Sequence, residues 1–106
     1  MKKFKIVVYV PVESADALRE AMGGAGAGQV GNYTHCTFSV RGIGRFIPTE
    51  GARPAIGEVD KPEVVEEERI EAVCSEEKLE SVLKAIRDIH PYEEPATDVY
   101  SIEVVE

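Results

Sequence analysis

Apolar side chains recur at every second position near the start of the chain: Phe4, Ile6, Val8 and Val10 alternate with Lys5, Val7 and Tyr9. That is the period of a strand. Both faces turn apolar toward its end, as in an inner strand, and Pro11 closes it. The period then lengthens. Ala15, Leu18, Ala21 and Met22 form a narrow helical stripe, with Ser14 as N-cap, Asp16 in the first turn and Gly23-Gly24 as the stop. Cys36, Phe38 and Val40 alternate with Thr37, Ser39 and Arg41, which predicts a second strand. Gly42-Ile43-Gly44 reads as a turn that returns the chain into Arg45 to Ile47, closing a hairpin.

From Pro48 to about Val64, three prolines and two glycines interrupt any period and predict a long loop. Alternation resumes from Glu67 to Cys74, with Ile70, Ala72 and Cys74 on one face. Ser75 then caps a helix whose Glu76 and Glu77 complement the dipole. Leu79, Val82, Leu83, Ile86 and Ile89 fall at steps of three and four, the strongest helical signal in the chain. That helix ends at His90-Pro91, and Thr97 to Val105 forms the last strand. The order βαββ(β)αβ predicts an α+β fold: a ferredoxin-like sandwich, an antiparallel sheet with two helices on one face. A chain of 106 residues supports one core, hence a single domain over 1–106 with loop 48–64 as an extension.

Charge narrows the range of partners. With 20 acidic against 12 basic side chains the net charge is -8, which disfavours nucleic acid and anionic membranes, since phosphate needs clustered Lys and Arg. No apolar stretch approaches the roughly 20 residues of a membrane span. The run from Ile6 to Val12 is short and strand-like, so a secretory signal is not expected. Cys36 and Cys74 make a poor disulfide framework. Together these features predict a cytoplasmic protein.

The run His90-Pro91-Tyr92-Glu93-Glu94-Pro95 concentrates the chemistry. An imidazole, a phenol and two carboxylates stand between prolines that force a stiff, non-helical turn. His90 could cap the helix C-terminus through its dipole and last carbonyls, or belong to a site. Gly26-Ala27-Gly28-Gln29-Val30-Gly31 spells GxGxxG, but it follows a helix and leads into a strand, the reverse of a dinucleotide fingerprint. A helix stop followed by a close backbone approach fits better, and Asn32 and Tyr33 beside it could line a pocket. His35 and Cys36 are metal-ligand types, and His90 with Glu93 or Glu94 could complete a set for zinc or copper. Adjacent strand residues point to opposite faces, however, so a local site is disfavoured and one assembled across subunits is needed. Both cysteines fall on the apolar side of strand patterns, where a thiol is an inert core group rather than a nucleophile.

Several strings together resemble one family. Gly26-Ala27-Gly28, Gly31-Asn32-Tyr33, His35-Cys36-Thr37-Phe38-Ser39, Gly51-Ala52-Arg53-Pro54-Ala55-Ile56-Gly57-Glu58 and His90-Pro91-Tyr92-Glu93-Glu94-Pro95-Ala96 are similar to the insert domain of the Nif-three-like dinuclear-metal hexameric proteins. The C-terminal motif also resembles that of CutA proteins, which implies a CutA/PII-like version of the sandwich. The lobes that carry that family's metal ligands have no counterpart in these residues, so its dinuclear site and hydrolase activity are not carried over. What the resemblance implies is a free-standing insert domain, a homo-oligomer with sites between subunits. The expectation is a non-enzymatic binding or regulatory module, a trimer. Its inter-subunit groove would take a small molecule or protein through Asn32, Tyr33, Arg53, Tyr92 and Glu94. The alternative is a divalent-metal protein akin to CutA, with His35, Cys36, His90 and Glu93 as ligands. A second alternative is a small metal-assisted hydrolase with Glu93 or Glu94 as base.

Overall fold

The computed structural model describes residues 2–105. In chain order it runs β1 (Lys3–Pro11), a single 3-10 turn (Val12–Ser14), α1 (Ala15–Gly24), β2 (Phe38–Phe46), β3 (Glu63–Ser75), α2 (Glu76–Ile89) and β4 (Thr97–Ile102). The strands form one antiparallel sheet in the order β2-β3-β1-β4. Each helix therefore links two strands separated by a third, and the two split βαβ units interlock as expected of the ferredoxin-like sandwich.

Register decides which side chains meet the helices. Phe4, Ile6, Val8 and Val10 of β1 lie opposite Cys74, Ala72, Ile70 and Glu68 of β3, so all eight share one face. On that face Ile6, Val8, Val10, Ile70, Ala72 and Cys74 pack against Leu18 and Met22 of α1 and Val82 and Ile86 of α2, giving one core. Glu68 is the charged residue buried there. It is held by an ion pair to Arg19, whose guanidinium also bonds Asp16 and Ser39.

The structure corrects several expected boundaries. Gly42-Ile43-Gly44 is no turn: Gly42 pairs with Glu67 and Gly44 with Val65 inside one unbroken ladder. Glycine serves close approach there, because a Cβ on Gly44 would fall within 2.1 Å of the Glu67 carboxylate. The extra strand in the predicted order is thus absent, and β2 pairs with β3 across the long loop. That loop covers 47–62, so Val64 already lies in β3, while β4 stops at Ile102, short of Val105.

Ser14 and Ser75 occupy the N-cap positions, as expected, but the chemistry at the helix ends differs. Neither Ser14 nor Ser75 makes a side-chain capping hydrogen bond. α1 ends at Gly24, as the glycine pair predicts, and the stop is completed two residues on at Gly26. There the Gly26 N–H donates to the Gly23 carbonyl and the Ala27 N–H to the Met22 carbonyl, with Gly26 at φ +114. This is a Schellman closure, and Ala27 and Met22 are both buried in the core beneath it.

The opposite face of the sheet is open. Phe38 and Val40 of β2 point there, opposite Glu71 and Arg69, and are 66% and 50% exposed. The sequence pattern assigns these two to the core, but β2 is an edge strand whose apolar face lies away from both helices. Tyr100 of β4, opposite Lys5, is on the same face and also exposed. No described helix is long and apolar enough to cross a membrane.

A cleft between the long loop and the HPYEEP turn

The turn after α2 is built around His90. Pro91 pushes the residue before it out of the helical region, and His90 is extended at φ -66, ψ 135. Its ring is buried under β1 rather than capping α2. Nδ1 accepts the Tyr92 backbone N–H at 3.1 Å, so that nitrogen carries no proton. Nε2 therefore donates, to the Tyr9 carbonyl at 2.7 Å. Burial pushes the imidazole below its ordinary 6.5, an effect only partly offset by the Tyr9 carbonyl and the charge of Glu67. Both ring nitrogens are committed to holding the turn.

Tyr92 then turns back over the sheet. Its ring stacks edge-on to Phe46 at 5.8 Å between centroids, and lies 5.2 Å from the His90 ring. Its hydroxyl donates to Glu67 Oε2 at 3.0 Å. Burial, together with Glu67, raises the phenol far above its usual range, which keeps it a neutral donor. Glu93 ties the turn to the long loop by accepting the Arg53 backbone N–H on Oε1 at 2.9 Å. The loop closes on itself where the Asp60 N–H donates to the Pro48 carbonyl at 2.7 Å.

Between loop and turn lies a cleft of about 320 Å³. Tyr9, Phe46 and Tyr92 supply aromatic walls and Pro48, Pro54, Ala55 and Ile56 apolar ones. Arg45, Glu67, Glu93 and Glu94 supply charge. That volume is at the lower end of small-molecule sites.

The expected site residues divide between two places. Tyr92, Glu93 and Glu94 line the cleft, and Arg53 adjoins it through its backbone. Asn32 and Tyr33 sit on an exposed turn bridged by Val30 and Tyr33, outside the cleft lining. His35, at φ +59, lies over Gly23 with Nε2 3.7 Å from Glu20. Cys36 is outside β2 and half-buried, not on a strand's apolar side as expected, while Cys74 is core and its thiol is raised by burial. The Cys36 N–H donates to the Gly28 carbonyl, and Gly28 N–H to Val73 opposite Lys5, whereas His90 holds Tyr9. Lys5 and Tyr9 are about 13 Å apart along β1. Within one chain His35 and Cys36 therefore do not meet His90 and Glu93. Among the described residues no group of three or more His, Cys, Asp or Glu side chains could hold a metal ion.

Sequence reading missed Tyr9, Arg45, Phe46 and Glu67. Their signal is positional: Tyr9 sits two residues before Pro11, which pairs with Glu67, so both stand where β1 ends. Arg45 and Phe46 stand where β2 enters the loop.

No protein-family model matches the chain. It is 48% identical over 99 residues to the GTP cyclohydrolase 1 type 2 homolog of Bacillus subtilis, an alignment covering 93% of this chain and 26% of that protein. The homolog of Mycobacterium tuberculosis is 48% identical over 98 residues, with 92% and 26% covered. The chain thus spans about a quarter of the length of the curated relatives it matches. Among solved structures, the Bacillus cereus protein related to NIF3 superposes with a TM-score of 0.84 at 46% identity, covering 97% of this chain and 26% of that one. The periplasmic divalent cation tolerance protein CutA of Archaeoglobus fulgidus superposes with a TM-score of 0.69 at 20% identity, covering 100% and 88%. The latter likeness establishes the CutA-like fold.

Proposed function

Since this chain is a homologue of one segment of the NIF3-related proteins, we propose that it is a non-enzymatic binding or regulatory module that works as a homo-oligomer. The observation that carries this reading is the cleft, which the Glu93–Arg53 hydrogen bond closes and Tyr92 walls. Tyr92 and Glu93 are engaged in holding that shape, which suits recognition better than proton transfer. The activity in the relatives' name belongs to proteins of which this chain matches about a quarter, and none of it is assigned to this segment. We place the module in the cytoplasm, where the free thiols of Cys36 and Cys74 stay reduced.

A trimer is the assembly proposed. Its support is the uncovered sheet face with exposed Phe38, Val40 and Tyr100, flanked by edge strands β2 and β4. Open edges and apolar sheet faces favour association. Assembly would bring Asn32 and Tyr33 of one copy toward the cleft of the next, which a single copy does not do. Light scattering at micromolar concentration is expected to return three times the mass of one chain. Val40→Asp, which puts a charge on the open face, is expected to shift that toward one chain; a monomeric parent protein would end the reading.

The divalent-metal alternative needs His35 and Cys36 of one copy to meet His90 and Glu93 of another. Taking His90 as a ligand would cost it one of its two structural hydrogen bonds. Untagged protein titrated with zinc or copper is accordingly expected to retain no stoichiometric metal after desalting, as measured by mass spectrometry. One ion per subunit, lost in His90→Ala, would favour the alternative.

A further inference from the structure

The cleft is aromatic and acidic at once, and resting on its reading as a binding site we propose that its ligand is an organic cation: an amine or guanidinium on a short apolar body. Three carboxylates, Glu67, Glu93 and Glu94, line it against a single cation, Arg45. An adjoining depression is lined by Glu50, Glu93 and Glu94 with no basic residue. The whole chain carries a net charge of -8, so the surrounding field also draws cations inward.

The carboxylates are prepared rather than neutralised. The Tyr92 hydroxyl holds Glu67 by Oε2 and the Arg53 N–H holds Glu93 by Oε1, which fixes both groups and leaves each a further oxygen for a ligand N–H. Glu94 has no hydrogen-bond or ion-pair partner among the described residues. Phe46 and Tyr92 provide rings that attract ammonium and guanidinium groups, and Tyr9 already holds the Arg69 guanidinium 5.7 Å from its ring centroid, the same kind of contact made within the chain. Pro48, Pro54, Ala55 and Ile56 give an apolar body something to lie on.

Other ligand classes fit less well. A phosphate or carboxylate would meet three like charges and pair only with Arg45. A bare metal ion would face mostly apolar lining, and the described residues form no ligand cluster for one. A neutral apolar molecule would leave the carboxylates unanswered.

The test is an NMR titration of the ¹⁵N-labelled chain with butylguanidinium, butylurea and butyrate, following the amides of Ala52, Ala55, Ile56, Tyr92 and Glu94. Butylguanidinium is expected to give saturable shifts confined to these residues, with affinity about tenfold above either other probe. Glu94→Gln, an exposed and isosteric change, is expected to weaken it about threefold. Equal binding of butylurea, a preference for butyrate, or unsaturable shifts spread over the acidic surface would each overturn the cation assignment. Of these, the first two leave the cleft standing as a binding site. Silence with all three probes would overturn the assignment and the binding-module reading together.

Discussion

Gly28→Ala is expected to destabilise the protein by about 2–4 kcal/mol, whereas Gly23→Ala, five residues earlier, is expected to be close to neutral. Gly28 has φ +80, a conformation that costs an L-residue about 1–2 kcal/mol. A Cβ there would also stand 2.4 Å from the Cys36 carbonyl oxygen and 2.6 Å from its nitrogen. Those obstacles are backbone and cannot swing aside. Gly28 is itself pinned, since its N–H donates to the Val73 carbonyl at 2.7 Å and its carbonyl accepts the Cys36 N–H at 2.9 Å. Relieving the clash therefore sacrifices one of these bonds, at about 1 kcal/mol. At Gly23 the obstacle is the half-exposed ring of His35, which can rotate into water. Alanine also gains roughly 1 kcal/mol over glycine within a helix, offsetting the displacement. Urea unfolding midpoints of the two variants measure the contrast; similar losses in both would show that the Gly28–Cys36 approach is not what constrains this turn.

The second large effect is at His90. His90→Ala removes the partner of two backbone groups, the Tyr9 carbonyl and the Tyr92 N–H, and is expected to cost about 2–4 kcal/mol. The same ring makes stability pH-dependent with a definite sign. Its folded pKa is depressed below 6.5, so just below that pH the unfolded chain binds more protons than the folded one. Stability from His90 is thus complete above about pH 6.5 and is lost as pH falls through the folded value. A protonated ring would also have to give up the Tyr92 N–H, because Nδ1 would become a donor. Denaturation series between pH 5 and 7.5 are expected to show a decline in the parent protein that His90→Ala lacks. Parallel curves for the two proteins would mean that His90 titrates alike in both states.

His90 also shows where sequence reading falls short. The prolines predict the end of α2 and the stiff turn, because those are restrictions of the chain itself. A helix-capping role for the imidazole follows just as naturally, yet the ring bonds Tyr9, 81 residues away in the chain. Nothing local distinguishes the two partners. Gly42 and Gly44 fail for a related reason: glycine permits a turn but equally permits the close approach that Glu67 makes to Gly44.

Hydrophobic period, prolines and length determined by themselves the two helices, the four strand segments apart from their exact bounds, and the sandwich class, because each follows from local sterics and one-faced burial; the pairing of β2 was not among them. They also marked the HPYEEP turn as a place where polar groups gather and the long loop as a stretch with no period of its own. Only the tertiary structure decided that this turn and this loop meet, that Tyr9, Phe46 and Glu67 complete their cleft, and that Asn32, His35 and Cys36 lie elsewhere. It also decided that Phe38 and Val40 face outward. The reason is register: which strand stands beside which, and on which face, is fixed by contacts between residues far apart in the chain, and a period of two is the same for either face.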